Sequence, residues 1–214
     1  YEMSFSNGSI KKKLSKMKKN LKKKSGTIIK FKANDKYFDT DAIDIKELHN
    51  LIKAKSILQP GLKLQVIDEL YDTGTTDYLH NGSLGDYLIN STNGLSFIPE
   101  KPCSGNFESS DLTIDWSSIW LIDSTETMQA SYVNLIPTPS GGTHVNALKT
   151  AVVESLRDFC ARKKLLPKNI KLTPDDVWKN TSFIISIKMM NPQFAGQTKT
   201  KLQSAHIASI LTPK

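Results

Sequence analysis

The side chains best suited to chemistry lie near the end of the chain, in the run Gly-Gln-Thr-Lys-Thr-Lys at residues 196–201. The sequence pattern puts this run after a strand and at the start of a helix. A glycine turn, an amide donor and two lysines at a helix N-terminus would together favour a phosphate, because the unpaired N–H groups there attract anions. An ordinary solvated loop is the alternative that these residues alone leave open.

Other chemical signatures are weak. The sequence has no zinc-ligand spacing, no Walker-type glycine loop and no G-x-S-x-G motif. Its four histidines are scattered, and only His144 stands out, because it follows Gly141, Gly142 and Thr143 at a predicted helix start. Backbone donors at that point could face an anion. A structural role is the alternative for His144, and we favour it.

The basic charge is local. The chain carries a net charge of +8, and residues 11–24 alone contain nine lysines and no acid. Without this run the chain is close to neutral, so a basic surface spanning the whole domain is not supported. We favour a solvated surface ribbon for the run. Contact with DNA phosphates is the alternative, since clustered lysines would release counterions on binding.

Length and composition indicate a globular protein of one domain, or of one domain and part of another. The chain has 214 residues, of which 38% are hydrophobic. It contains no apolar run long enough to cross a bilayer and no secretory signal. Because it begins within a strand pattern, we expect a segment of a longer protein. The two cysteines, Cys103 and Cys160, are expected to be reduced thiols in a cytosolic protein.

The pattern of predicted helices and strands changes near residue 40, which predicts a boundary between two parts of the chain there. In the first part, an alternating strand from Tyr1 ends at the turn Asn7-Gly8, and a β-branched strand follows at 26–31. The second part is predicted to be α+β, with a sheet of at least four strands. Its predicted helices are at 45–58, 83–90, 145–164 and 199–211, with a further helix start at Thr173-Pro174. One strand is predicted to begin at Leu62, and three more cover 114–122, 130–136 and 182–189. A turn is predicted at 72–76 and a long loop at 91–111.

Four motifs in the second part resemble one protein family. They are the stretch 192–202, which contains Gln-Thr-Lys, and the segments 132–137, 141–145 and 175–188. In this order and spelling they are similar to the gyrase B and topoisomerase IV B family of bacterial type II DNA topoisomerases. Residues 25–31 and 36–39 resemble the end of that family's ATP-binding domain more loosely. Residues 115–121 and 146–149 are more similar to topoisomerase IV than to gyrase.

The resemblance implies a fold and a domain division. Residues 1–40 would be the last strands of an ATP-binding domain of the GHKL class, present only in part. Residues 41–214 would be the transducer domain, which in this family has a βαβ-rich α+β fold shared with a small-subunit ribosomal protein. The family's catalytic glutamate, its magnesium-binding asparagine and its adenine-binding aspartate belong to motifs that this sequence does not contain.

The resemblance also implies roles for four residues. Lys199 would be the lysine that contacts the γ-phosphate of ATP, with Gln197 as its hydrogen-bonding neighbour. Thr27 matches a threonine beside the adenine ring, although a plain strand threonine is the alternative. Lys149 falls where related sequences have a basic residue facing DNA, although a surface helix lysine needs no special explanation. No metal ligand is expected in this segment.

Cofactors and partners follow from the same resemblance. The intact protein would use ATP and Mg²⁺, act on DNA, and pair with the topoisomerase IV A protein. Two topoisomerase IV B proteins would dimerise on ATP binding, which gives a heterotetramer overall. We expect a bacterial cytoplasmic, chromosome-associated protein without a membrane segment. The alternatives are a gyrase B transducer segment, a non-enzymatic basic nucleic-acid-binding module, or another ATPase of the superfamily such as a chaperone or mismatch-repair protein.

Overall fold

The computed structural model describes residues 1–17, 29–30, 36–40, 42–69, 74–167 and 169–211. Their contacts form two compact units, Tyr1–Ile43 and Asp44–Lys214. Thr27 and the lysines from 18 to 24 lie outside the described residues, as does most of the strand predicted at 26–31. Among the described residues, no helix is both long enough and apolar enough to cross a membrane.

The first unit contains the predicted hairpin. Strands β1 (Glu2–Ser6) and β2 (Ser9–Ser15) pair antiparallel, with Ser6 opposite Ser9. Asn7 and Gly8 connect them with φ angles of 48° and 78°. Two successive positive φ angles match the right-handed twist of the strands, and asparagine and glycine tolerate them best. The hairpin prediction is confirmed.

The second unit begins with a capped helix and a second hairpin. Helix α1 (Ile45–Leu58) starts where the Asp44 carboxylate accepts a hydrogen bond from the Glu47 N–H at 3.0 Å. Strands β3 (Leu64–Asp68) and β4 (Gly74–Tyr78) then pair antiparallel. The turn predicted at 72–76 is therefore wrong in its second half, because the strand already starts at Gly74. Thr75 and Thr76 are polar, so this short strand lacks the apolar alternation by which the sequence would indicate it.

Helix α2 (Leu84–Ser91) confirms the predicted start at Ser83. The Ser83 hydroxyl accepts from the Asp86 N–H at 3.1 Å, and the Asp86 carboxylate accepts from the Ser83 N–H at 2.7 Å. This reciprocal pair satisfies two N–H groups that a helix start leaves without partners. The Asp86 carboxylate accepts from the Ser83 N–H and also from the Ser83 hydroxyl at 2.8 Å, and these two bonds favour its ionised form and lower the pKa of Asp86.

A five-stranded sheet forms the centre of the second unit, in the order β5-β6-β9-β7-β8. Only the pair β7 and β9 is parallel. The prediction of at least four strands is confirmed. The strands are β5 (Phe97–Glu108), β6 (Leu112–Leu121), β7 (Gln129–Val133), β8 (Ile136–Pro137) and β9 (Thr181–Met189).

The loop predicted at 91–111 is wrong, because most of it is strand β5. Pro99 and Pro102 favour a loop in the sequence, since proline cannot donate to a sheet ladder. Among the described residues, strand β5 lies at the edge of the sheet and pairs with β6 alone, and its register breaks between Ile98 and Cys103 around those prolines. An edge strand tolerates proline where its N–H would face solvent.

The strand predicted at 130–136 is also interrupted. Asn134 and Leu135 have φ angles of 49° and 65°, so the chain reverses between β7 and β8. Val133 then pairs with Ile136 across this tight turn. The Asn134 side chain fixes the turn by donating to the Met189 carbonyl at 2.9 Å and accepting from the Met189 N–H at 2.8 Å.

Helices α3 (Thr143–Lys163), α4 (Pro174–Trp178) and α5 (His206–Leu211) share the main core with one face of the sheet. Helix α2 packs on the other face through Leu88, beside Ile119 and Leu121. Strand β9 is buried on both faces, in agreement with its continuous apolar run. The main core consists of buried apolar side chains from the sheet, from α3, α4 and α5, and from the connection between β9 and α5: Leu112, Ile114, Val133, Val145, Leu148, Val153, Val177, Trp178, Phe183, Ile185, Ile187, Met189, Leu202 and Ile207.

The last predicted helix is too long. The sequence pattern starts it at residue 199, whereas α5 starts at His206. Residues 190–205 instead form the connection between β9 and α5, which contains the candidate site. Cys103 and Cys160 are free thiols, as predicted.

Candidate functional site

The candidate site is a narrow, hairpin-like loop, residues 193–204, which we call the lysine loop. Its two sides are joined by backbone hydrogen bonds from Ala195 N–H to the Lys201 carbonyl at 2.9 Å and from Gln203 N–H to the Gln193 carbonyl at 2.7 Å. Phe194 and Leu202 face each other as an antiparallel bridge. These bonds leave residues 196–200 as the tip.

The tip presents its polar side chains to solvent. Gln197, Thr198 and Lys199 are all exposed. Gly196 and Lys199 have φ angles of 79° and 55°, and this left-handed conformation costs a lysine about 1 kcal/mol. The Lys199 ammonium lies 5.9 Å from the centre of the Phe194 ring, within reach of a cation–π attraction.

No helix begins at the tip, so one part of the phosphate prediction is wrong. The unpaired N–H groups and the dipole of a helix start are not available at residues 196–201, because α5 starts only at His206. The positive charge of the tip comes from the Lys199 side chain alone, and Lys201 lies directly after the tip. Lys199 and Lys201 are both exposed, and only Lys199 lies at the turn itself.

The base of the lysine loop is bonded to the segment that leads into α3 and includes its first two residues, 138–144, which we call the clamp segment. Leu202 N–H donates to the Gly141 carbonyl at 3.0 Å, and Thr143 N–H donates to the Leu202 carbonyl at 3.0 Å. Ser140 N–H donates to the Thr200 carbonyl, also at 3.0 Å. The Leu202 side chain is fully buried in the main core. The base is therefore held both by a backbone ladder and by an apolar anchor.

Side chains reinforce this attachment. The Thr143 hydroxyl donates to the Ser204 carbonyl at 2.9 Å, and the Ser204 hydroxyl accepts from the Gln193 N–H at 2.9 Å. Ser204 is buried. Buried hydrogen bonds are costly to leave unmade, so they fix the backbone of residues 193 and 204. The result is an exposed lysine on a loop with a rigid base.

His144 lies inside the clamp segment and has no exposed surface. Its Nε2 shares a hydrogen bond of 3.3 Å with the Thr138 hydroxyl, which is bonded in turn to the Ser131 hydroxyl at 2.8 Å. No partner for Nδ1 lies among the described residues. Burial lowers the pKa of His144 to about 4, so the ring is neutral at physiological pH. This favours the structural role, and the neighbouring Thr143 N–H is already occupied by Leu202.

Lys149 lies in the second turn of α3, and none of its described contacts involves the lysine loop. Its ammonium is 5.4 Å from the Trp178 ring centre and 5.5 Å from that of Phe183, and it donates to the Gln129 amide oxygen at 3.3 Å. Partial burial lowers the pKa of Lys149. These contacts account for its position within this chain, and contact with DNA stays a prediction.

The structure thus places Gln197 and Lys199 together at one tip and Lys149 elsewhere, while Thr27 falls outside the described residues. Sequence reasoning missed Phe194 beneath the Lys199 ammonium and Ser204 at the base of the loop. The pair Gly141-Gly142 was the only signal for the clamp segment, because adjacent glycines before a helix often mark a close backbone approach. Within the described parts of the chain, no cluster of three His, Cys, Asp or Glu side chains could hold a metal ion.

Comparison with known proteins agrees with this architecture. The family described as DNA gyrase B matches residues 74–213, which is most of the chain. The chain therefore belongs to the DNA gyrase B family, and the resemblance identified from the sequence is confirmed.

Two relatives are topoisomerase IV B proteins. The chain is 41% identical to the B subunit of DNA topoisomerase 4 of Haemophilus influenzae over 208 residues, which is 97% of this chain and 33% of that protein. It is 37% identical to the protein of the same name from Escherichia coli over 212 residues, covering 99% of this chain and 34% of that protein. The chain thus spans about a third of the length of these relatives.

A solved structure matches both sequence and fold. The topoisomerase IV ATP-binding domain of Francisella tularensis, in complex with a small-molecule inhibitor, is 34% identical to this chain. The match has a TM-score of 0.80 and covers 98% of this chain and 57% of that one. The α+β fold predicted from the sequence is therefore confirmed, and it is similar to the fold of that ATP-binding domain.

Proposed function

We propose that this chain is part of the ATPase subunit of a type II DNA topoisomerase, topoisomerase IV. Residues 1–40 are assigned to the end of the GHKL ATP-binding domain and residues 41–214 to the transducer domain, with its fold shared with a small-subunit ribosomal protein. The similarity to topoisomerase IV B proteins over nearly the whole chain supports this assignment. The division of described contacts into Tyr1–Ile43 and Asp44–Lys214 is compatible with it.

In this proposal Lys199 contacts the γ-phosphate of ATP, and Gln197 is its hydrogen-bonding neighbour. One observation carries the assignment: an exposed ammonium at the tip of a loop whose base is fixed by buried hydrogen bonds. The rigid base fixes where the lysine stem starts. The flexible stem then lets a compact charge follow the phosphate and offset the charge that develops during transfer.

The same contact would relay the nucleotide state. It exists only while the γ-phosphate is present, so it stabilises one arrangement of the two domains before hydrolysis and not after. The lysine loop is bonded to the start of α3 through Thr143, which gives a physical connection from the nucleotide to the transducer core. Coupled in this way, ATP binding and hydrolysis would drive passage of one DNA duplex through another, leading to decatenation and relaxation.

The proposed cofactors and partners are those of the whole protein, of which this chain would be a part. ATP and Mg²⁺ would bind in the ATP-binding domain, with metal ligands outside this segment and Thr27 beside the adenine ring. DNA and the topoisomerase IV A protein would be the partners. ATP would dimerise two B proteins, giving a heterotetramer overall in a cytoplasmic, chromosome-associated enzyme. Lys149 would face DNA in the whole protein, while within this chain its ammonium lies over the Trp178 and Phe183 rings.

The test is the Lys199→Ala variant of the full-length protein, with Lys201→Ala as matched control. Both lysines are exposed on the same loop, and only Lys199 is assigned to the phosphate. We expect Lys199→Ala to lower kcat for ATP by about 100-fold or more, the usual effect of removing a group that stabilises transition-state charge. ATP binding should largely survive, and Lys201→Ala should retain near-normal turnover. Normal turnover by Lys199→Ala would remove the proposed role.

Gyrase B is the alternative within the family. The two are distinguished by reconstituting the full-length protein with its A-protein partner. ATP-dependent decatenation without negative supercoiling supports topoisomerase IV, and ATP-dependent introduction of negative supercoils supports gyrase.

A further inference from the structure

The clamp segment and the lysine loop approach each other unusually closely at Gly142. Its neighbour across the gap is the backbone of Leu202, with which it forms a parallel bridge. A Cβ atom placed on Gly142 would lie 2.3 Å from the Leu202 carbonyl oxygen and 2.5 Å from the Leu202 nitrogen. Backbone atoms cannot rotate away as a flexible side chain can, so any side chain at 142 forces the two segments apart.

The backbone conformation of Gly142 is a second reason why this position needs glycine. Its φ angle is 135°, which L-residues with a side chain rarely adopt. Two flanking hydrogen bonds depend on the close approach, from Leu202 N–H to the Gly141 carbonyl and from Thr143 N–H to the Leu202 carbonyl. The sequence therefore uses glycine at 142 for space as well as for backbone freedom.

Thr143 adds a side-chain contact from the next position. Its hydroxyl donates to the Ser204 carbonyl at 2.9 Å, and Ser204 is also bonded to Gln193 on the opposite side of the loop. Together Gly142 and Thr143 hold both sides of the lysine loop to the first turn of α3. Lys199 lies only three residues before Leu202, so a shift of the base displaces the ammonium.

We propose that Gly142 and Thr143 are positioning residues for Lys199: they set the direction of the lysine loop and thereby the place of the ammonium at the nucleotide. This proposal rests on the proposed function of Lys199. It adds that these two residues control the rate of the step in which Lys199 takes part, and affect the affinity for ATP much less. Displacements of about 1 Å in a catalytic group commonly lower a rate by about 100-fold.

The first test measures the attachment itself, in the 214-residue chain and without nucleotide. Hydrogen exchange at the Leu202 amide reports its bond to the Gly141 carbonyl. Gly142→Ala should accelerate this exchange by about tenfold or more, the change expected when one local hydrogen bond is lost. Gly94→Ala is the control, because Gly94 also has a positive φ of 87° but has no atom within 4 Å of an added Cβ. Unchanged exchange at Leu202 in Gly142→Ala overturns the proposal.

The second test is a double-mutant cycle on ATP turnover by the full-length protein. Gly142→Ala alone should lower kcat about as much as Lys199→Ala, with little change in KM. In the Lys199→Ala background it should have no further effect, because the group that it positions is already absent. If the losses in kcat of the two single variants multiply in the double variant, Gly142→Ala damages the enzyme independently of Lys199, and the positioning role is overturned. Normal turnover by Lys199→Ala alone would instead refute the proposed function, while the exchange experiment still decides whether Gly142 holds the loop.

Thr143→Val and Thr143→Ser keep the test usable if Gly142→Ala folds poorly. Valine has nearly the same shape as threonine and lacks only the hydroxyl that bonds to the Ser204 carbonyl. We expect Thr143→Val to lower kcat and to accelerate exchange at the Leu202 amide. Thr143→Ser keeps the hydroxyl and should keep kcat and the exchange rate close to those of the parent protein. Equal behaviour of the valine and serine variants would contradict a role for the hydroxyl.

Discussion

Acidification should destabilise the second unit through His144. The ring is fully buried, and burial lowers its pKa from 6.5 to about 4. Above pH 6.5 the histidine is neutral in both the folded and the unfolded chain. Between pH 6.5 and 4 the unfolded chain binds a proton that the folded chain excludes, so the free energy of unfolding falls as the pH falls. At about 1.36 kcal/mol for each pH unit, the full loss is about 3 kcal/mol.

The assay is urea unfolding at a series of pH values from about 7.5 to about 4, followed by tryptophan fluorescence. All three tryptophans, Trp116, Trp120 and Trp178, lie in the second unit, so the signal reports the unit that contains His144. His144→Gln should be less stable at neutral pH but should lose less stability on acidification. His206→Gln is the matched control, because His206 is exposed. The shifted carboxylates Asp77, Asp86 and Asp176 have lowered pKa values and titrate below this window.

Equal slopes would rule out His144 as the group that takes up the proton. If His144→Gln and the parent chain lose the same free energy of unfolding between pH 6.5 and 4, the proton is taken up elsewhere. The His206→Gln control should retain the parental slope.

Two further predictions concern residues away from the lysine loop. Ser83→Ala should lower the free energy of unfolding by about 1 kcal/mol, because α2 loses the two hydrogen bonds that the Ser83 hydroxyl makes with Asp86 at the helix start. Urea unfolding checks this, and Ser83→Thr should retain most of the stability. Lys149→Ala should destabilise the fold by about 1 kcal/mol through loss of its contacts with Trp178 and Phe183, and Lys149→Arg should retain part of them. If Lys149 also contacts DNA, Lys149→Ala in the full-length protein should reduce the salt dependence of DNA binding by about one counterion; an unchanged slope would remove that role.

Strong local signals made much of the fold predictable. The hairpin at Asn7-Gly8 and the helix starts at Asp44, Ser83 and Thr173 depend on turn and capping residues next to one another in sequence. Such interactions form within a few residues, so their pattern is visible without tertiary structure. The long apolar run of β9 was equally clear, because a strand buried on both faces needs no alternation.

The errors occurred where tertiary contacts decide the local structure. Strand β5 contains Pro99 and Pro102 and is stabilised by pairing with β6. No local sequence pattern indicates that pairing. The sequence from residue 199 predicts a helix, yet the backbone at 200 and 202 is bonded to the clamp segment some sixty residues earlier. The choice of Lys199 as a candidate came from motif resemblance and does not depend on the helix. The reason for its placement, close approach at Gly142, came only from the structure.

A contact between Lys199 and the terminal phosphate of ATP is the centre of the proposed function. The most direct measurement is a crystal structure of the full-length protein with a non-hydrolysable ATP analogue and Mg²⁺. We predict that the Lys199 ammonium lies within about 3.2 Å of a γ-phosphate oxygen, the distance of a charge-assisted hydrogen bond. A bound analogue whose γ-phosphate has no lysine-loop side chain within hydrogen-bond distance would contradict the claim.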